Sequence, residues 1–255
     1  GQSLIDTPED FGLQAKRPLH GDLLDWLATE YVRLGWSQKQ LIRTILLSDV
    51  YRRSAVVSDE QRGLDPDNRF YARASRFRLD AERIRDTWLV IAGLLSRKLG
   101  GPSVYPLQAD TSGVVPTNKV IMRWPTSKGG DRWRRGLYTY WRRTAPFVAF
   151  KAFDAPSREV CQVQRERSNT PMQALVGLND PTALAAADAL ARRMSSLSGD
   201  LRAKLQFGFM ACTAREPSDR ELDSLRRAWE SEPSERAWHR IAIVLLNLDE
   251  TLSRG

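Results

Sequence analysis

The chain has 255 residues, of which 42% are hydrophobic and 27% are charged, and its formal net charge at neutral pH is +8. These fractions are ordinary for a globular protein and exclude a largely disordered chain. No stretch reaches the roughly 18 uninterrupted apolar residues that a membrane-spanning helix needs. The first residues carry no secretory signal pattern, and we expect the chain to be a fragment of a longer protein.

The positive charge lies in the middle of the sequence. Residues 61–170 carry a net charge of +11, whereas residues 1–60 carry −2 and residues 171–255 carry −1. Arginine accounts for 32 of the 39 basic residues. A positive surface attracts nucleic acid, anionic glycans or an acidic protein surface, and it can equally pair with the chain's own acidic flanks.

Helical periodicity dominates the first hundred residues. Leucine and tyrosine side chains form one stripe over residues 23–34, which predicts a first helix that Gly35 ends. Ser37 and Gln40 predict a capping box at the start of a second helix. A longer helix is expected from near Leu79 to the glycine pair at residues 100–101.

Turn-forming and β-forming residues interrupt this pattern. Asp65-Pro66-Asp67 predicts a turn. Residues 102–133 contain four prolines and a Gly-Gly pair, and we expect loops with short extended pieces there. Residues 137–141 are rich in β-forming side chains and predict a short strand.

The last third is helical again, with clear start signals. Residues 170–173, Thr-Pro-Met-Gln, predict a capping box with proline at the first helical position. Asp180 and Pro181 predict the start of an alanine-rich helix, and Ser218 and Ser234 predict the starts of two more. The expected fold is therefore mainly α.

We predict one compact multi-helix domain over residues 1–255, with a small β element in the basic middle segment. The alternative is two helical lobes, residues 1–100 and 167–255, joined by residues 101–166.

Cysteine and histidine give weak signals. Cys161 and Cys212 have neither zinc-ribbon nor haem-attachment spacing, so they form one disulfide or remain two buried thiols. His20 and His239 lie near opposite ends of the chain without a partner at ligand spacing. We predict no metal site and no cofactor.

The densest polar cluster runs from Phe153 to Thr170. It contains carboxylates for acid–base chemistry, Ser157 and Cys161 as candidate nucleophiles, and arginines for anions. No histidine lies nearby in sequence to activate a nucleophile, and the residue order matches no hydrolase, phosphate-loop or zinc signature. The alternative is a salt-bridged loop anchor beneath the helix that starts at Pro171.

Two further clusters combine charge with other features. Within residues 68–86, Arg76, Asp80 and Arg83 are expected on one exposed helix face, as a ladder of ion pairs each worth about half a kcal/mol. The alternative for this cluster is a carboxylate-flanked anion site. Residues 123–143 interleave tryptophan with arginine, as single-stranded nucleic-acid sites and sugar-binding platforms do. The alternative for this segment is a strand with one buried aromatic face. No known nucleic-acid-binding motif accompanies it.

Eight candidate ligand-binding residues follow from these clusters, and no catalytic residue does. They are Arg78, Asp80, Trp141, Asp154, Arg158, Glu159, Arg165 and Asn169. The five between residues 154 and 169 are expected to converge where the basic segment meets the C-terminal helices, as the floor of a polar cleft or as a buried clasp. If Arg158 is buried there, its replacement by alanine should cost several kcal/mol. If it lines a cleft, the same change should abolish ligand uptake and spare stability.

Several motifs resemble one known family. The sequences DAPSREVC at 154–161, RERSNTPMQAL at 165–175 and LNDP at 178–181 are similar to the planctomycete cytochrome-associated domain of unknown function (DUF1553-like). The resemblance extends in the same order over nearly the whole chain. Its other stretches are residues 7–12, 20–28, 51–54, 65–69, 78–86, 100–104, 135–141 and 247–250.

The resemblance implies architecture more than activity. The family lies near the C-terminus of large multidomain proteins that often carry a c-type cytochrome domain upstream, so it implies part of an exported, extracytoplasmic bacterial protein with no established reaction. The family's cytochrome motif is absent from these residues, and no haem is implied for them. Residues 19–22, Leu-His-Gly-Asp, replace the family's Ser-His-Pro-Glu and weaken any special role for that turn. Export also favours a Cys161–Cys212 disulfide.

We predict a non-catalytic interaction or ligand-binding domain of a larger exported protein, one that handles polysaccharide or assists an electron-transfer partner. Its expected partners are other domains of its parent chain, including a c-type cytochrome domain, or a glycan or anionic ligand. The alternative is a hydrolase-like enzyme with Asp154 and Glu159 as its acid–base pair, which requires both carboxylates to face one cleft about 5–10 Å apart. Nucleic-acid binding through residues 123–143 is the third hypothesis.

Overall fold

A computed structural model describes residues 3–5, 7, 13, 15–108, 124–143, 145–231 and 234–254. These residues contain twelve α-helices and one two-stranded sheet, so the fold is mainly α with a small β element, as predicted. The chain divides into two compact units. Unit 1 comprises residues 1–77 with 254–255, and unit 2 comprises residues 78–253. The expectation of a single domain stays a prediction.

Unit 1 contains four helices, and the first two confirm the predicted ones. The Ser37 hydroxyl accepts the amide of Gln40 at the start of the second helix. Ser58 and Gln61 form a full capping box at the start of the fourth. The bounds are α1 Gly21–Arg33, α2 Gln38–Leu47, α3 Asp49–Arg52 and α4 Asp59–Leu64.

Hydrogen bonds, rather than apolar packing, occupy the most buried part of unit 1. Among its described residues only Asp65 and Asn68 are buried, and none of its four helices buries a side chain. The Asp65 carboxylate accepts the amides of Arg69 at 2.8 Å and Phe70 at 3.0 Å. The Asn68 side chain donates to the carbonyl of Arg73 and accepts its amide. The predicted turn at residues 65–67 is thus held by a polar hub.

Unit 2 contains the apolar core. Its helices are α5 Ala81–Ala92, α6 Val148–Ala152, α7 Pro171–Asn179, α8 Pro181–Ser196, α9 Leu201–Thr213, α10 Asp219–Glu230, α11 Glu235–Leu246 and α12 Asp249–Leu252. The predicted caps are present, because Thr170, Asp180, Ser218 and Ser234 each accept a first-turn amide. Helix α5 is shorter than predicted, since Gly93 in the left-handed region ends it.

Small residues let the helices of unit 2 approach one another. The buried alanines of α8 lie in the core, and α8 packs chiefly against α11 and α5. On α7, a Cβ at Gly177 would lie 1.9 Å from the Asn247 Oδ1 atom. The same Asn247 side chain donates to the Gly177 carbonyl at 3.0 Å, so a larger residue at position 177 would break this contact.

The predicted strand at residues 137–141 is wrong. Residues Gly129–Trp133 and Gly136–Tyr138 form 3-10 turns, and Thr139 makes only an isolated bridge to Val104. The sheet instead pairs Phe77–Arg78 with Ser253–Arg254. Packing explains the aromatic side chains, because Tyr140 stacks on Tyr105 with ring centroids 4.7 Å apart.

Two buried arginines attach this irregular segment to the core. Arg85 on α5 donates to the carbonyls of Arg134 at 2.7 Å and Arg132 at 2.8 Å. Arg134 in turn donates to the carbonyls of Pro102 and Gly100. Burial lowers the pKa of Arg85 to about 10. The two guanidinium groups thus supply the donors that a neighbouring strand would otherwise provide.

No helix in the part of the chain that the structure describes has the length and the apolar run that crossing a bilayer requires.

We expect Arg85→Met to lower the free energy of unfolding of unit 2 by about 3 kcal/mol, because two buried carbonyls lose their donor. Chemical denaturation followed by circular dichroism measures this loss. Arg226→Met is the matched control: its side chain is half exposed, and we expect a change within about 0.5 kcal/mol. Equal effects of the two substitutions would contradict the role given to Arg85.

We expect the loop at residues 65–73 to loosen in acid. The amides of Phe70 and Arg69 hold the pKa of Asp65 below its ordinary value of 3.8, so the stability it contributes is present above that value and is lost as the pH falls through the lower folded-state pKa. The amide resonance of Phe70, followed by NMR between about pH 6 and pH 2, reports this step. Asp65→Asn should loosen the loop at neutral pH and remove the step, whereas Asp67→Asn, at an exposed position, should keep it. An unchanged step in Asp65→Asn would assign it to another group.

Candidate functional site

A polar cleft lies in unit 2 where the chain that follows α6 meets the starts of α5 and α7. It encloses about 260 Å³ with its open mouth included, and its enclosed part has room for about one water-sized group. Four of the eight predicted residues line it: Arg78, Asp80, Asp154 and Arg165. The buried residue Gln173 lines it as well.

Asp154 joins the two chain segments that form the cleft. Its Oδ2 atom accepts three hydrogen bonds: from the amide and the hydroxyl of Ser168, both at 2.7 Å, and from Nε2 of Gln173 at 3.2 Å. Its φ of 59° lies in the left-handed region, which a short polar side chain such as aspartate tolerates. The carboxylate therefore fixes the loop after α6 to the residues before α7.

Gln173 departs from its predicted role in a capping box. Thr170 does accept the Gln173 amide, but the Gln173 side chain donates to Asp154 and Ser168 instead of returning to Thr170. The residue is 1% exposed, and its Oε1 atom has no hydrogen-bond partner among the described residues. Reversing the amide would place this oxygen against the Asp154 carboxylate, so its orientation is fixed.

Arg78 presents a second unmatched atom at the same cleft. Its side chain is 14% exposed, and its Nη1 atom lies 3.7 Å from the Asp249 carboxylate. Its Nε atom is buried and has no partner in the described part of the chain. Burial lowers the pKa of this guanidinium, and the negative charge of Asp154 opposes that shift.

Charged pairs surround these buried groups. Arg165 donates to both carboxylate oxygens of Glu82, at 2.7 and 3.2 Å, which raises the pKa of Arg165. Arg167 lies 4.0 Å from the Asp80 carboxylate. Arg83 pairs with Asp80 at 3.7 Å, but its side chain is 63% exposed, so this pair contributes little to stability. Helix α5 begins at Ala81, so Arg76 lies before the helix and the predicted helix face of Arg76, Asp80 and Arg83 is wrong.

The other four predicted residues lie outside the lining of the cleft. The guanidinium carbon of Arg158 lies 4.5 Å from the centroid of the Trp141 ring, and that ring packs against Phe150. Arg158, Glu159 and Asn169 are exposed. The expected convergence of five side chains therefore reduces to Asp154 and Arg165.

The exposure of Arg158 also changes its expected energetic role. Arg158 is neither buried nor part of the lining of the cleft. Its replacement by alanine is therefore not expected to lower the free energy of unfolding by several kcal/mol. Replacing it with alanine removes one exposed cation–π contact, worth about 0.5–1 kcal/mol.

The hydrolase hypothesis required Asp154 and Glu159 to face one cleft. The structure places Asp154 in the lining, whereas Glu159 is exposed outside it, with its amide donating to the Ser157 hydroxyl. The cleft therefore does not unite the proposed acid–base pair.

The cysteines and histidines serve other contacts. Both thiols are free, and Cys161 is exposed while Cys212 is buried, so neither the disulfide nor the pair of buried thiols is present. Burial raises the pKa of Cys212 to about 12. His20 contacts the carbonyl of Arg69, and His239 pairs with Asp188 at 2.6 Å. Within the described ranges, no group of three such side chains or carboxylates could hold a metal.

The tryptophan and arginine segment is used largely for packing. Trp124 stacks on Phe147 and donates its indole N–H to the Pro106 carbonyl at 2.7 Å. Arg134 is fully buried. Arg123, the first residue of the segment 123–143, lies outside the described residues. These contacts favour the alternative of a buried aromatic face over a nucleic-acid surface.

We expect Asp154→Ala to lower the free energy of unfolding by about 1–3 kcal/mol, because Ser168 and Gln173 lose their shared acceptor. Glu159→Ala removes an exposed carboxylate from the same loop and should change it by less than about 0.5 kcal/mol. Thermal and urea denaturation of the two variants measures the difference. A wild-type melting curve for Asp154→Ala would show that this carboxylate does not hold the loop.

One family model, described as PSD1, protein of unknown function (DUF1553), matches residues 1–229. The matched region contains every candidate residue named above. No curated relative and no solved structure is similar enough to count as a match. Because the family model covers most of the sequence, this chain belongs to the DUF1553 family of proteins of unknown function.

Proposed function

We propose that this chain is a non-catalytic binding domain of a larger exported bacterial protein, and that the cleft at Asp154 is its ligand site. One observation carries the proposal: Gln173 Oε1 and Arg78 Nε, on two residues that line the same cleft, are buried without partners among the described residues. Buried polar atoms in native proteins are almost always paired with protein, ordered water or a ligand. A polar ligand supplies both missing partners.

Binding suits the site better than catalysis does. The Asp154 carboxylate holds three donors, and the Asp80 carboxylate faces Arg83 and Arg167. The carboxylates of Asp154 and Asp80 therefore serve to position their neighbours. The lining residues include no histidine, cysteine or serine in the described part of the chain, so the usual partners of a nucleophilic mechanism do not meet there.

A titration with small polar probes tests the ligand site. The probes are methyl glycosides, inorganic phosphate, acetate and methylammonium, and the readout is the NMR signal of the Gln173 side-chain amide and the Ala81 main-chain amide. We expect at least one probe to shift both signals saturably, since both residues line the cleft. If no probe shifts either signal while the protein stays folded, the cleft is not a ligand site.

A second candidate function is protein interaction through unit 1. Helices α1 to α3 bury no side chain and expose large apolar ones, and exposed apolar surface of this kind marks interaction sites. The exposed residues are Leu23, Trp26, Val32, Ile42, Ile45, Leu46, Leu47 and Val50. The occupant in this proposal is another domain of the parent chain, and the family resemblance makes a c-type cytochrome domain the first one to test.

Hydrogen exchange on the full-length parent protein tests this second candidate. The amides of α1 and α2 should exchange about tenfold more slowly in the parent than in this chain alone, because a covering domain excludes water from them. Helix α10, also largely exposed, is the internal control and should exchange at equal rates. Equal rates for α1 and α2 as well would remove the interaction hypothesis.

The extracytoplasmic location is part of the proposal and is supported by the family resemblance alone. Fractionation of cells that express the parent protein, with detection by an antibody to this domain, should find it in the envelope fraction. Recovery with a cytosolic marker enzyme would contradict export.

A further inference from the structure

We infer that one surface of unit 2 attaches to a lipid bilayer that contains anionic phospholipids. This surface consists of the exposed residues within 97–103 and 131–137, and we call it the leucine–arginine surface. None of these residues lines the cleft, so the inference goes beyond the proposed function and does not depend on it.

Two highly exposed leucines lie on adjoining turns of this surface. Leu99 is 75% exposed and Leu137 is 71% exposed. The two turns are in contact, since the amide of Gly100 donates to the hydroxyl of Tyr138 at 2.8 Å. A side chain this exposed leaves most of its apolar area in water, and it gains free energy when it enters an apolar phase.

Cations accompany both leucines. Arg97 and Lys98 come directly before Leu99, and Arg135 comes two residues before the other leucine; all three cations are exposed. Residues 97–103 and 131–137 together contain five basic residues and one acidic residue. This excess of positive charge is complementary to a bilayer with anionic headgroups, where each cation near the surface strengthens attachment about fivefold.

Nearby carboxylates neutralise only part of this charge. Asp131 lies 3.8 Å from Lys98, and Asp86 lies 3.8 Å from Arg135. Arg97 has no acidic partner among the described residues. The surface therefore keeps a net positive charge beside its leucines.

The turn around Leu99 is held from inside the protein. The buried Arg134 guanidinium donates to the carbonyls of Lys98, Gly100 and Pro102. Unpaired carbonyls are costly in an apolar environment, so these hydrogen bonds lower the cost of bringing the turn close to the acyl chains. The turn is also ordered before it binds, which reduces the entropy lost on attachment.

A bilayer fits this surface better than an acidic protein does. An acidic protein surface would pair with the cations, but it would also need a pocket for each exposed leucine. The interfacial region of a bilayer is fluid and accepts apolar side chains in any arrangement. The half-buried Trp133 belongs to the same segment and is a residue type that is enriched at membrane–water interfaces.

Co-sedimentation of the whole chain with lipid vesicles tests the inference. The vesicles contain phosphatidylcholine and phosphatidylglycerol in equal parts, and vesicles of phosphatidylcholine alone are the neutral control. We expect saturable binding to the mixed vesicles that weakens as salt is added, and about tenfold weaker binding to the neutral ones. An absence of binding to the mixed vesicles would overturn the inference.

Two variants measure the apolar and the electrostatic contributions. Leu99→Ser should weaken binding to the mixed vesicles about tenfold, and Arg97→Gln about fivefold. The matched controls are Leu64→Ser on α4, where the leucine is 80% exposed, and Arg226→Gln on α10, where the arginine is half exposed. Both controls should bind as wild type does. Because all four side chains are exposed, every variant should keep the wild-type melting temperature.

Soluble polyglutamate distinguishes an acidic protein as the partner, because it supplies negative charge without an apolar phase. If Leu99→Ser binds the mixed vesicles as tightly as wild type does, the contact is electrostatic only and the inference is wrong. Release of the bound protein by polyglutamate would then indicate an acidic protein partner. Equal losses in Leu99→Ser and Leu64→Ser would also overturn the inference, because the leucine–arginine surface would then not be the specific contact.

Discussion

The hydrogen bonds to one oxygen of Asp154 determine the geometry of the cleft. They join the loop after α6 to the residues before α7, and they hold the Gln173 amide away from the helix start that its sequence pattern favours. Because the Nε2 atom must face the carboxylate, the Oε1 atom must face the other way. It therefore cannot accept the Thr170 amide, as it would in a capping box. The unmatched carbonyl is thus a direct consequence of the hydrogen bonds to Asp154.

The same reliance on side-chain donors appears in the middle of unit 2. Residues 96–141 run without a strand ladder in their described part, and buried carbonyls in such a segment need donors from elsewhere. Arg85 and Arg134 provide them, each guanidinium serving several carbonyls. The excess of arginine in the basic segment therefore has a structural use besides surface charge, since a lysine ammonium could not reach several carbonyls in this planar arrangement.

Local patterns were sufficient to predict some features and insufficient for others. The helix starts at Thr170 and Ser218 depend on contacts three residues apart, so the sequence contains the whole interaction. The orientation of the Gln173 side chain depends on Asp154, nineteen residues earlier, and no spacing rule connects the two residues. The prediction of a strand at residues 137–141 was wrong because the aromatic side chains of this segment pack against distant rings such as Tyr105. Asp154 and Arg165 both line the cleft, whereas Arg158, Glu159 and Asn169, expected beside them, are exposed, because local polarity does not determine which side chains of a segment a distant helix covers.

The polar hub of unit 1 affects how that unit responds to heat. Exposure of apolar surface is the main source of the heat-capacity change of unfolding, and the described part of unit 1 buries Asp65 and Asn68 but no apolar side chain fully. Its unfolding should therefore contribute little to the calorimetric heat-capacity step, most of which belongs to unit 2. A domain of the parent chain that covers α1 and α2 would add the missing apolar burial, and unit 1 would then melt at a higher temperature in the parent than in this chain alone.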